Sequence, residues 1–187
     1  MSRQDEILEF WLPLGEKKWF SSEDEIDQQI RLRFMDLWGA AWEGGLTDWQ
    51  TSARGMLAYL IVTDQFPRNM FRGDARSFAT DELARSAARR AVMQGLDLQI
   101  DGPGRCFFYL PFEHAESLGD QDWGVDLTEG RILDASFLLN AKAHREIIRR
   151  FGRFPFRNKA LGRQTTAAEQ AFIDAGGYGA LMKELAG

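Results

Sequence analysis

Apolar residues recur along this chain at intervals of three and four, and the intervals break at glycine, at proline and at short polar residues. Ile26, Ile30, Phe34, Leu37 and Trp38 repeat in this way behind Ser22 and Glu25, which stand at capping-box spacing. A long amphipathic helix is therefore predicted there, ending before Gly44-Gly45. Met56, Leu57, Leu60 and Ile61 predict a second helix from about Ser52 to Gln65, stopped by Phe66-Pro67 because proline drives the preceding residue out of helical geometry. Thr80 reads as the cap of a third, which uses Leu83, Ala87 and Ala91 and ends at Gly95. Asp134 or Ser136 opens a helix with Phe137, Ala141, His144, Ile148 and Phe151 on one seam and Gly152 at its end. Thr166 and Glu169 repeat the capping-box spacing ahead of a short helix, and a last one follows Gly176-Gly177 from Tyr178 to Leu185. No segment alternates apolar and polar residues with β-branched enrichment, so no strand is predicted. The expectation is an all-α protein of seven to nine helices.

Composition adds size and setting. With 187 residues, 14 Phe and 6 Trp, the chain can bury one sizeable core, and a single domain is expected. Cys106 is the one cysteine and cannot form an internal disulfide, which fits a reducing cytoplasm. The polar start, Met1 to Asp5, lacks the basic-then-apolar order of a leader, and the apolar run Met56 to Val62 is far too short to span a bilayer, which needs about 20 residues. A cytoplasmic protein without a membrane partner is expected.

Charge is distributed unevenly. The chain nets -5, yet residues 140–163 hold eight basic groups against the single acid Glu146. Such a segment either attracts anions from solution or pairs with the acidic majority of its own chain. The overall pI near 5.2 argues against nucleic acid as a partner.

Candidate chemistry gathers around a textual echo. FPRN occurs at Phe66 to Asn69, and a near copy occurs at Phe154, Pro155, Phe156, Arg157 and Asn158. Each copy sets a guanidinium fork beside a proline and an amide: Arg68 with Asn69, and Arg157 with Asn158. Between them Pro111 interrupts a helical pattern, and Glu113, His114 and Glu116 follow. Glu113 and Glu116, three apart, are expected on one helical face, and His114 on the inward seam of Phe107, Leu110, Pro111 and Leu118. His144, between Ala141 and Ile148, is expected to point inward too, and a buried imidazole must find hydrogen-bond partners.

Three long stretches, DQFPRNMFRG at Asp64 to Gly73, FFYLPFEHAESLGDQ at Phe107 to Gln121 and HREIIRRFGRFPFRNKALGR at His144 to Arg163, resemble the signature blocks of a bacterial family catalogued as domain of unknown function 924. The opening ILEFWL at Ile7 to Leu12 and the pair Trp19-Phe20 are similar to that family's start. The resemblance implies a tetratricopeptide-like stack of antiparallel helix pairs and carries no activity with it. Phe156 stands where members of that family often have histidine.

Three functional readings follow. In the first, Arg68 and Arg157 clamp a small anionic molecule or a peptide carboxylate in a polar pocket with His114 as hub and Glu113 as its orienter. In the second, His114 is a general acid or base on a carboxylate- or phosphate-bearing metabolite. In the third, the polar set only fixes helix corners, and the protein is a scaffold for a protein partner. Metal ligation is not expected, because His114, as the helical neighbour of Glu113, diverges from it by roughly 100° and no HExxH or ExxH pair is present. No nucleotide or other cofactor is expected, since neither GxGxxG nor GxxxxGK[ST] occurs.

Overall fold

A computed structural model describes residues 1–187, which form helices and turns with no strand. The chain divides into two compact units, Met1–Pro111 and Phe112–Gly187. Eleven α-helices form, more than the seven to nine that periodicity predicts, because several are too short to show a repeat and one buries few apolar residues.

The first unit holds α1 (Arg3–Trp11), α2 (Glu16–Trp19), α3 (Asp24–Trp42), α4 (Ala53–Leu60), α5 (Phe66–Met70) and α6 (Asp81–Met93). Its core is aromatic: Trp11 meets Phe66 edge-on at 5.4 Å, Phe34 stacks on Phe66 at 5.1 Å, and Trp19 abuts Phe107 at 5.0 Å. Apolar burial at about 25 cal/mol per Å2 makes these rings the main local source of stability. The long helix α3 buries Ile30, Phe34, Leu37, Trp38 and Ala41, the stripe that periodicity predicts. Its start differs. Ser22 and Glu25 form no capping box; extended Glu23 precedes the helix without a side-chain cap, and the acids Asp24, Glu25 and Asp27 face the positive end of the helix dipole.

Pro67 does not stop a helix. From α4 the chain passes through one π-helical turn, Ile61–Gln65, directly into α5, where the proline occupies the first turn. There its missing N–H is tolerated. In an α-helix the Thr63 carbonyl would accept from residue 67, which has no N–H to give. Thr80 supplies a donor instead, its hydroxyl donating to Thr63 O at 2.6 Å while accepting from Trp38 Nε1 at 3.2 Å. This is why Thr80 leads α6 without capping it.

The boundary between the units falls inside α7 (Leu110–Glu113), where Pro111 takes the second position. The second unit adds α8 (Leu118–Arg131), α9 (Ala135–Phe151), α10 (Ala167–Asp174) and α11 (Gly177–Ala186). Its core comprises Ala143, Ile147, Ile148, Phe154 and Leu181, with Phe151, Phe172, Tyr178 and Met182 packed against it. Asp134 caps α9, Gly152 ends it at φ 68°, and Thr166 with Glu169 makes the predicted capping box on α10. Helix α8 has no counterpart in the sequence reading. Its buried face is Gln121, Gly124, Leu127 and Thr128, so the apolar repeat that announces a helix is missing.

No helix is long and apolar enough to cross a membrane.

Candidate functional site

Six of the eight candidate residues, Glu113, His114, Glu116, His144, Arg157 and Asn158, lie in the second unit. Helix α7 ends at Glu113, so the spacing of Glu113 and Glu116 does not place them on one helical face. They serve different sites. Gln121 Nε2 reaches back from α8 to the carbonyls of Glu113 (2.6 Å) and Ala115 (2.8 Å), pinning the turn between α7 and α8. Gly124 permits the close approach, since a Cβ there would stand 3.2 Å from Phe112 Cβ and 3.6 Å from Glu113 Cγ.

Glu113 is 3% exposed. One oxygen accepts from Thr128 Oγ1 at 3.5 Å, and the other lies 4.0 Å from His144 Nδ1. Neither histidine is sealed in the core. His114 and His144 are both partly buried, and Leu118, the last member of the expected inward seam, is exposed because α7 has already ended. The two imidazoles meet edge to face, 5.9 Å between centroids at 70°. Phe154 and Tyr178 flank His144 at 5.7 and 5.1 Å. Burial, and then the nearby Glu113 charge, raise the Tyr178 hydroxyl well above the usual phenol value, so it remains protonated.

The second FP corner forms the frame around this cluster. Gly152 turns the chain, Phe154 enters the core, and Pro155–Arg157 make a single tight turn. Arg157 is buried, lies over the Phe154 ring at 4.4 Å and donates from Nη2 to His114 O at 3.0 Å. Glu116 accepts from the Phe154 N–H at 2.8 Å and from both ends of the Arg163 fork, at 2.6 and 2.9 Å. Burial opposes the Glu116 charge, but Arg163 and the Phe154 N–H outweigh it and hold the pKa below the ordinary value. Asn158 is buried and directs its Nδ2 toward Thr165 and Glu169, both at 3.3 Å. Glu169 is gripped by Arg153 at 2.6 and 2.9 Å.

The basic run of residues 140–163 is thus largely paired inside its own unit. Lys142 approaches Glu129, Arg145 meets Asp122, Arg149 and Arg150 share Glu146, and Arg150 reaches Glu184. Separately, a cleft of about 470 Å3 is lined by Asp122, Val125, Asp126, Lys142, Arg145, Glu146 and Leu185. Both signs of charge line it, and neither histidine does.

Glu169 carries a pH prediction. The Arg153 hydrogen bonds, with Thr166 adding to them against burial, lower its pKa from 4.5 to about 2. A depressed carboxylate stabilises the fold fully above its unfolded pKa and loses that contribution as pH falls through the folded one. The stability difference between the wild type and Glu169→Gln should therefore be constant above about pH 5. It should narrow between pH 4.5 and 2 in urea titrations. A difference independent of pH would show that Arg153 does not hold the charged form.

The remaining candidates belong to the first unit. Arg68 grips Asp81 with both ends of its fork, at 2.9 and 3.0 Å, and lies 3.5 Å from Asp64. Burial works against its charge, and Asp64 and Asp81 reverse that, raising its pKa. Asn69 donates to buried Asp27 at 2.8 Å and accepts from Gln65 at 3.3 Å. Asn140 and Tyr178 were not among the residues that spacing singled out. The available signal was small: Asn140 stands four before His144, on the same helical face.

The family described as bacterial protein of unknown function, DUF924, matches residues 7–177. The chain belongs to that family. A solved structure, the protein of unknown function ATU0120 from Agrobacterium tumefaciens, is similar to it at 41% identity, covering 91% of this chain and 96% of that one, with a TM-score of 0.87. Among curated proteins none matches. The biochemical function of this DUF924 protein is thus unassigned, and its candidate chemistry rests on the residues described above.

Proposed function

We propose that the second unit binds a small anionic ligand, a carboxylate or phosphate or the carboxylate of a peptide, at the His114–His144 pair. The observation that carries this reading is the juxtaposition of two partly exposed imidazoles at 5.9 Å beside the buried Glu113 carboxylate. An imidazole that becomes protonated offers an anion both charge and an N–H donor. Arg157 serves as a brace, fixing the His114 backbone through its carbonyl, and Glu116 with Arg163 holds the corner on which Arg157 sits. On this reading the helix pairs, α8 with α9 among them, form a tetratricopeptide-like stack in a cytoplasmic protein, and the polar cluster is its ligand face.

The test is a thermal-shift series with acetate, citrate, inorganic phosphate and phenyl phosphate at pH 6, on the wild type, His114→Gln and His144→Gln. A bound ligand raises the melting temperature in proportion to the logarithm of its excess over Kd. At least one anion should stabilise the wild type, and both substitutions should abolish the shift. No shift with any anion, or an equal shift in both variants, would remove this reading.

A further inference from the structure

Along one edge of the α8–α9 pair the facing positions are charged. Asp122, Asp126 and Glu129 follow one another at helical spacing on α8, and Lys142, Arg145, Glu146 and Arg149 do so on α9. A short connection joins the two helices, so they run antiparallel, and two ion pairs cross between them: Asp122 accepts from Arg145 Nε, and Lys142 approaches Glu129. The cleft of about 470 Å3 opens at this edge, a volume suited to a small molecule, and Val125 of α8 and Leu185 of α11 give it apolar surface. Its charged lining residues differ in how far the protein itself engages them. Asp122 and Arg145 satisfy one another, and Glu146 accepts from Arg149 at 2.6 and 2.7 Å and from Arg150 at 2.7 Å. Asp126 and Lys142 stand apart. Asp126 makes no hydrogen bond or ion pair, and Lys142 has only Glu129, at 3.8 Å, which is beyond hydrogen-bond reach. Nor do Asp126 and Lys142 pair with each other. The cleft therefore presents one carboxylate and one ammonium from facing helices, each with its hydrogen-bonding capacity unused within the chain.

We infer that this cleft is a site for a free α-amino acid with an aliphatic side chain. The ammonium of the zwitterion donates to Asp126, its carboxylate accepts from Lys142, and its side chain lies against Val125 and Leu185. A simple cation leaves Lys142 opposing it, and a simple anion meets Asp126 with Asp122 and Glu146 close by. Only a molecule of both signs satisfies both side chains and leaves the net charge of the cleft unchanged. Lys142 loses little in turning from Glu129, because an exposed ion pair contributes little to stability. Two charge-assisted hydrogen bonds from opposite walls then fix the head group, and the apolar surface selects the side chain. Neither histidine lines the cleft, so the inference goes beyond the anion-binding reading and does not rest on it.

Amide proton–nitrogen correlation spectra of the whole chain, titrated at pH 7, test this. L-Leucine should shift the resonances of α8 and α9 around Asp126 and Lys142 in a saturable way. Isoamylamine and isocaproate carry the leucine side chain with one charge each, and both should bind about tenfold more weakly, as the loss of one charge-assisted hydrogen bond implies. L-Alanine keeps both charges and lacks the apolar body, so it too should bind about tenfold more weakly. Asp126→Asn and Lys142→Met, both at exposed positions, should each weaken leucine about tenfold while leaving the spectrum away from the cleft unchanged. Absence of saturable shifts with leucine overturns the inference. So does an equal response to the amine or to the acid alone, or an unchanged affinity in either variant. His114→Gln and His144→Gln separate this site from the imidazole pair. Leucine binding should persist in both; its loss would place the amino acid at the imidazoles and remove the cleft as its site. Failure of simple anions to bind at the imidazoles, with leucine still bound in the cleft, would defeat the earlier reading and leave this one standing.

Discussion

Thr80→Val is expected to destabilise the first unit by about 3 kcal/mol, although the substitution preserves shape. The valine keeps the volume and removes one hydroxyl, and that hydroxyl serves two buried groups. Without it the Thr63 carbonyl loses a donor at 2.6 Å and Trp38 Nε1 loses an acceptor at 3.2 Å. Each buried polar group left unsatisfied costs about 1–3 kcal/mol. Urea unfolding of the two proteins measures the difference directly. The sharper comparison adds Pro67→Ala. Alanine returns an N–H to position 67, where an α-helical bond to Thr63 O becomes available, so Thr80→Val should cost less in that background by about 1 kcal/mol. Additive penalties would mean that Thr80 does not stand in for the proline's missing donor.

Gly55→Ala is expected to cost about 2 to 3 kcal/mol, against the usual gain of roughly 1 kcal/mol for replacing glycine within a helix. Gly55 sits in the first turn of α4, where its N–H donates to the Ser52 cap at 3.2 Å. A Cβ there would run into the carbonyl oxygen of Trp49, well inside contact distance, and would stand 3.0 Å from Ser52 Oγ. The first obstacle is backbone, which cannot rotate aside as a side chain would, and Trp49 is itself buried. Gly39→Ala provides the contrast. It lies within α3, and a Cβ there meets nothing within 4 Å, so this substitution should stabilise by about 0.5–1 kcal/mol. Thermal and urea unfolding of both variants should give opposite signs. A shared sign would show that helix propensity, and not the Trp49 carbonyl, governs position 55.

The parts of the fold that sequence reveals are those in which a helix buries an apolar stripe between recognisable ends. Helix α9 is the clear case, with Asp134 before it, Phe137, Ala141 and Ile148 buried along it, and Gly152 after it. Helix α8 fails the same test because a glutamine, a glycine and a threonine take most of its buried positions; they are selected by close approach and hydrogen bonding, which leave no periodic trace. The fate of Pro67 was hidden for a related reason. Proline as a stop is a local rule, and it was overridden by a π turn and by Thr80 from a later segment.

The site was legible in its ingredients and less so in its wiring. His114, His144 and Glu113 were marked by residue type and by spacing, and the second unit gathers them. What spacing could not supply was the partner of each charge. Glu116 and Arg163 are 47 positions apart, and Arg33 meets Glu6 across 27. Pairings of that kind are set by the packing of helices, and from the sequence alone the basic run of 140–163 supported either an anion-attracting patch or internal ion pairs. The two FP corners make the same point. The first continues a helix, the second follows its end, and so Arg68 and Arg157 meet different surroundings despite their shared text.

The π turn at Ile61–Gln65 amounts to one surplus residue lodged within the rod that runs from Ala53 to Met70. A residue more or less turns everything beyond it by about 100° around the helix axis. Arg68 faces Asp81, and Asn69 faces Asp27, only with that extra residue counted in. Shortening the turn by a single position would make the rod more regular and would swing both side chains away from the carboxylates that receive them. In this stretch an apparent irregularity of the backbone is what keeps the chain in register with its own charges.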